Sequence, residues 1–114
     1  MTIGDWRKKI DEIDIVLLQL LNLRTEFALE VARLKEEEGL ALCAPEREQK
    51  VLVSMRNQNG GPLDAEAVTR IFRVLMDESR RIQEMNAVEV NAKAKEPTRR
   101  VSRASRRYGN VAES

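Results

Sequence analysis

A chain of 114 residues, 42% hydrophobic and 34% charged, is long enough to bury one core and too short for two domains. Scarce aromatics and abundant Ala, Leu, Glu, Arg and Lys point to an all-helical fold. The single cysteine, Cys43, excludes an intrachain disulfide, and the absence of histidine argues against a zinc site or histidine-based catalysis.

From Trp6 to about Glu38 apolar residues recur at Trp6, Ile10, Ile13, Leu17, Leu20, Leu21, Phe27, Ala28, Val31 and Leu34. That is the three-and-four spacing of an amphipathic helix. Such a helix is about 50 Å long. It cannot bury its stripe within a domain this small, so an extended bundle completed by a second chain is expected.

Gly39 ends the first helix, and Leu40-Ala41-Leu42-Cys43-Ala44 forms a short apolar loop. Pro45 opens the second helix at the position where its missing N–H would have no partner. That helix runs through Val51, Leu52 and Met55 to the breaker Asn57-Gln58-Asn59-Gly60-Gly61-Pro62. Asp64 is placed to cap a third helix, whose stripe is Val68, Ile71, Phe72, Leu75, Ser79, Ile82, Gln83 and Asn86. A helical domain over 1–92 is thus followed by a tail over 93–114, which holds seven Lys+Arg against two Asp+Glu and lacks apolar periodicity. Its composition predicts disorder.

No apolar run approaches the roughly 20 residues of a membrane span. The opening Met1-Thr2-Ile3-Gly4-Asp5 lacks the basic and apolar regions of a secretory signal. A soluble, cytoplasmic protein is expected.

Polar residues on the apolar stripes carry the functional signal. Arg24 and Lys35 stand eleven residues apart, almost a whole number of helical turns, so they face the same way with Cα atoms roughly 16 Å apart. Ser79 and Gln83 interrupt the third stripe one turn apart. Burying charge without a partner is costly, and the structural explanation is a network in which these cations pair with carboxylates such as Glu48. Four such residues on two helices of one small bundle favour a ligand pocket. Glu48, in the first turn of the second helix, is also accounted for by the helix dipole, which leaves Arg47 unexplained. Cys43 is expected to be a small buried hydrophobe in its apolar loop.

Five fragments, in order, carry a resemblance. Trp6-Arg7-Lys8-Lys9-Ile10-Asp11-Glu12-Ile13-Asp14, Leu17-Leu18-Gln19-Leu20-Leu21-Asn22-Leu23-Arg24, Glu30-Val31-Ala32-Arg33-Leu34-Lys35, Pro45-Glu46-Arg47-Glu48 and Ser79-Arg80-Arg81-Ile82-Gln83 resemble the all-helical chorismate mutases. The resemblance runs from about Arg7 to Gln83. It implies a homodimer of intertwined three-helix chains that converts chorismate to prephenate in phenylalanine and tyrosine biosynthesis, without a cofactor or metal. By the same resemblance Arg24 binds a substrate carboxylate, Lys35 reaches a carboxylate and the ether oxygen, and Gln83 bonds the ether oxygen. Glu48, Arg47 and Ser79 line the hydroxyl and ring-carboxylate side, and Arg7 comes from the other protomer. Helix geometry supports that last point independently. Arg7 and Arg24, 17 residues apart, lie roughly 25 Å apart along one helix and about 100° apart around it, so one small substrate is not easily held by both from the same chain.

The reaction also suits a chain without an evident nucleophile or base. The rearrangement is a unimolecular pericyclic step in which the C–O ether bond breaks as a C–C bond forms, with negative charge building on the oxygen. It needs a folded conformer to be held and donors to be placed at that oxygen.

One position departs from the family pattern. Ala44 stands where many chorismate mutases carry an aspartate that caps the helix and lies at the substrate hydroxyl, so only its backbone is available to substrate. The related isochorismate pyruvate lyases can carry Ala-Pro-Glu-Arg in this loop, whereas Glu48 favours the mutase because the lyase tends to be apolar there. A different class of reading makes the chain a non-catalytic dimerisation or regulatory module. In that reading Arg99, Arg100, Arg103, Arg106 and Arg107 contact nucleic-acid phosphates; a solvated tail is the favoured account, because aromatic interleaving stops at Tyr108. The resemblance also admits association with another shikimate-pathway enzyme.

Overall fold

A computed structural model describes residues 1–92, with side chains through residue 87. Three helices follow one another: α1 (Ile3–Glu38), α2 (Pro45–Gln58) and α3 (Ala65–Ala92). The three-helix order matches the periodicity, and the expected tail lies outside the described residues.

Each helix boundary has a local cause. α1 begins three residues earlier than the apolar pattern predicts, because Thr2 and Asp5 form a reciprocal cap. The Asp5 N–H donates to Thr2 Oγ1 at 3.1 Å, and the Thr2 N–H donates to Asp5 Oδ2 at 2.8 Å, so two main-chain donors are satisfied together. At the other end Gly39 takes a positive φ of 72°. Its N–H donates to the Glu36 carbonyl at 3.1 Å and the Leu40 N–H to the Lys35 carbonyl at 2.7 Å. These two bonds make a Schellman stop, which glycine adopts without steric cost.

α2 starts on Pro45 with Ala44 as an N-cap that offers no side-chain bond. The Asn59 side chain organises its exit, with Nδ2 donating to the Leu63 carbonyl at 2.6 Å and Oδ1 accepting the Gly61 N–H at 3.0 Å. Asp64 caps α3 as expected, Oδ1 accepting the Ala67 N–H at 2.7 Å.

The described residues divide into two compact units, one containing Met1–Phe27 and the other beginning at Ala28. In the first, the apolar stripe is uncovered: Trp6, Ile10, Ile13, Leu17 and Leu20 are all exposed, Ile13 by 64%. In the second, α2 and α3 pack together, and the buried side chains are Ala32, Leu52, Val68 and Met76. Arg56 Nη1 ties the two helices by donating to Thr69 Oγ1 at 3.2 Å. Cys43 corrects the expectation of a buried thiol, since it is exposed. Its loop turns the side chain to solvent, whatever the apolar character of its neighbours in sequence. No helix among the described residues is long and apolar enough to cross a membrane.

Candidate functional site

The second unit brings several of the expected residues into defined bonds. Lys35 sits in the last turn of α1, half-buried. Its Nζ donates to the Leu42 carbonyl at 3.3 Å. The Schellman stop turns the chain sharply after Glu38, so the loop that follows can receive this ammonium. An ammonium has three N–H donors, and the Leu42 carbonyl occupies one.

Gln83 lies on α3, half-buried, and its Nε2 donates to the Ala28 carbonyl at 2.7 Å. The amide nitrogen carries two N–H groups, so one remains. Lys35 and Gln83 therefore share a design. Each is steadied by a main-chain carbonyl and keeps donor capacity for a further acceptor.

Glu48 is the acceptor counterpart. It occupies the first turn of α2, with its side chain 30% exposed. The Arg80 guanidinium meets it from α3, Nη2 donating to Oε1 at 3.0 Å and to Oε2 at 2.8 Å. A third bond from the same nitrogen reaches Asp77 Oδ1 at 3.2 Å. The Glu48 carboxylate, through its hydrogen bond and then its charge, holds the Arg80 guanidinium above its ordinary pKa, and Asp77 adds a smaller charge contribution. The cation on Glu48 is thus Arg80, a residue outside the structural network considered above.

The remaining expected residues are placed as follows. Ala44 is half-buried at the N-cap of α2, with its carbonyl accepting the Glu48 N–H at 3.1 Å. Arg47 is exposed in the first turn of α2, and Ser79 is half-buried on α3, one turn before Gln83. Arg7, exposed, and Arg24, half-buried, both lie on α1 within the first unit.

Sequence reasoning did not single out Arg80, Asp77, or the carbonyls of Ala28 and Leu42. Arg80 lies 32 residues from Glu48 and off the apolar stripe, so no periodicity pairs them. Among the described residues no group of His, Cys, Asp and Glu is arranged to hold a metal ion.

Residues 6–84 match the sequence model of the family described as chorismate mutase type II. The chain is 43% identical over 75 residues to a bifunctional chorismate mutase/prephenate dehydratase of Pseudomonas aeruginosa, with 61% of this chain and 20% of that protein covered. It therefore spans about a fifth of the length of the bifunctional relative. It is 31% identical over 94 residues to a chorismate mutase of Methanocaldococcus jannaschii, with 82% of this chain and 95% of that one covered. Among solved structures, form II of the Thermus thermophilus chorismate mutase superposes with a TM-score of 0.71 at 30% identity, covering 72% of this chain and 93% of that one.

Proposed function

The chain belongs to the chorismate mutase type II family, and from that premise we propose that it rearranges chorismate to prephenate. The observation that carries the proposal is that the residues matching the family's two ether-oxygen donors, Lys35 and Gln83, are present and each steadied by a main-chain carbonyl.

In this reading Arg24 holds a substrate carboxylate, and guanidinium forks suit that planar partner. Arg7 of a second copy holds the other end of the substrate. Arg47, Ser79 and the Ala44 backbone line the ring-carboxylate side, and Glu48 accepts the hydrogen bond of the 4-hydroxyl. As the ether bond breaks, negative charge grows on its oxygen, and the free N–H groups of Lys35 and Gln83 meet it. Donors fixed before the reaction lower the barrier because they need not reorganise during it. The uncovered stripe of the first unit, Trp6 through Leu20, supports a homodimer in which a second copy's helix covers it.

Ala44 favours a second reading, isochorismate pyruvate lyase on the same scaffold. Glu48 favours the mutase more strongly, because a carboxylate that accepts from the 4-hydroxyl answers a direct chemical need of chorismate. Incubation of purified protein separately with chorismate and isochorismate, with product identification, tests the proposal. Prephenate from chorismate is expected. Pyruvate and salicylate from isochorismate alone would transfer the assignment to the lyase, and inertness towards both would remove the enzyme reading.

A further inference from the structure

We infer that Arg80 is the positioning residue that fixes Glu48 for the substrate's 4-hydroxyl, and hence a determinant of affinity for chorismate; this inference rests on the mutase reading. Arg80 touches both oxygens of Glu48 through one nitrogen, at 3.0 and 2.8 Å. A glutamate so close to a helix start would otherwise have three rotatable bonds with which to leave the site. The two contacts come from another helix and hold both carboxylate oxygens at the Arg80 nitrogen, which fixes where the carboxylate sits. A carboxylate has about four acceptor positions; Arg80 occupies two and leaves the remainder for a hydroxyl donor.

Ala44 raises the importance of this arrangement. With only a methyl group at Ala44, Glu48 is the acidic side chain left on the first turn of α2 to serve the hydroxyl, since Glu46 is exposed. Arg80 is itself braced by Asp77 at 3.2 Å, one turn back on α3. Its Nε is buried without a partner, so the guanidinium gains no hold from that atom and its aim rests on the carboxylates. The chain of support runs from Asp77 to Arg80 to Glu48, and Arg80 acts on substrate only through Glu48.

A double-mutant cycle on the full chain tests this, with steady-state KM and kcat for chorismate measured on wild type, Arg80→Gln, Glu48→Gln and the double variant. Loss of an interaction made equally in the bound substrate and the transition state raises KM and leaves kcat. Arg80→Gln is expected to raise KM about tenfold with kcat within about twofold, and to add less than about twofold in the Glu48→Gln background. Arg80→Lys keeps the positive charge but on a shorter side chain whose nitrogen sits elsewhere, and it is expected to fall between wild type and Arg80→Gln. Equal effects of Arg80→Gln in both backgrounds, or an unchanged KM, would overturn the inference while wild-type turnover leaves the mutase reading intact. Absence of wild-type turnover would overturn both. If circular dichroism shows Arg80→Gln unfolded, Arg80→Lys decides: a KM raised at least about threefold in the wild-type background and less than about twofold in the Glu48→Gln background supports the inference, and any other result overturns it.

Discussion

Replacing Gln83 by leucine separates the structural bond of this side chain from the catalytic role proposed for it. In the folded chain its Nε2 donates to the Ala28 carbonyl at 2.7 Å. Ala28 lies inside α1, where each carbonyl also serves the helical ladder, so the substitution leaves that oxygen with a partner. The loss to stability is that of one net hydrogen bond, about 1 kcal/mol. For a chain of this size that lowers the melting temperature by roughly 4–8 °C. The catalytic loss is larger. Removing one preorganised donor from a developing oxyanion costs about 2.7–4 kcal/mol, a fall of about 100- to 1,000-fold in kcat. Chorismate turnover at 25 °C, with thermal unfolding followed by circular dichroism, reads the two effects on the same sample. Gln83→Leu should remain folded at 25 °C with kcat reduced at least about 100-fold. A folded variant with kcat within about threefold of wild type would refute the role given to Gln83. Gln83→Glu adds a sign to the test. A carboxyl group at this position donates only when protonated, and it faces the Ala28 carbonyl, an acceptor that favours the neutral form. Its activity should be present at acid pH and disappear as pH rises.

Three further outcomes follow from other parts of the chain. Ala44→Asp supplies the missing side-chain cap on α2, worth about 1 kcal/mol, and should raise the melting temperature by roughly 4–8 °C; an unchanged midpoint would show that this N-cap backbone, at φ −132° and ψ 80°, does not accept a cap. The Asp5 carboxyl is held below its ordinary 3.8 by the Thr2 main-chain N–H and then by the Thr2 hydroxyl. Its contribution is present above the unfolded value and is lost as pH falls through the folded one. Glu78, lowered by Arg81, acts in the same sense, so Asp5→Asn should reduce the drop in melting temperature between pH 6 and pH 3 relative to wild type. Arg24→Ala removes charge-assisted bonds to a carboxylate, about 1.5–3 kcal/mol, and should lower kcat/KM by about 10- to 150-fold, whereas a non-catalytic module would retain its function.

The three helices were legible because their signals are local. Periodicity over a few turns, Pro45 at a first helical position, Gly39 at a stop and Asp64 at a cap each act within a handful of residues, and each stands where expected. The start of α1 was misplaced because the Thr2–Asp5 cap uses aspartate where the common pattern has glutamate, and because Ile3 lies outside the main stripe. Cys43 was misjudged for a related reason: an apolar neighbourhood in sequence does not specify what covers a loop. The candidate site residues Lys35, Ser79 and Gln83 emerged as polar interruptions of apolar stripes. Arg80 interrupts nothing, and its meaning depends on Glu48 arriving from another helix. Pairings between helices follow from packing, which one sequence does not encode in any short window.

The most direct test of the account mixes two inactive variants. Arg7→Ala lacks the residue proposed to act across the dimer, and Gln83→Leu lacks one proposed to act within its own chain. After equal amounts are unfolded together and refolded, random pairing makes about half of the dimers mixed, and each mixed dimer contains one complete site of two. Prephenate formation should recover to roughly a quarter of the wild-type rate. If the mixture stays at the level of the separate variants although mixed dimers have formed, Arg7 does not serve the partner's site and the dimeric mutase account is contradicted.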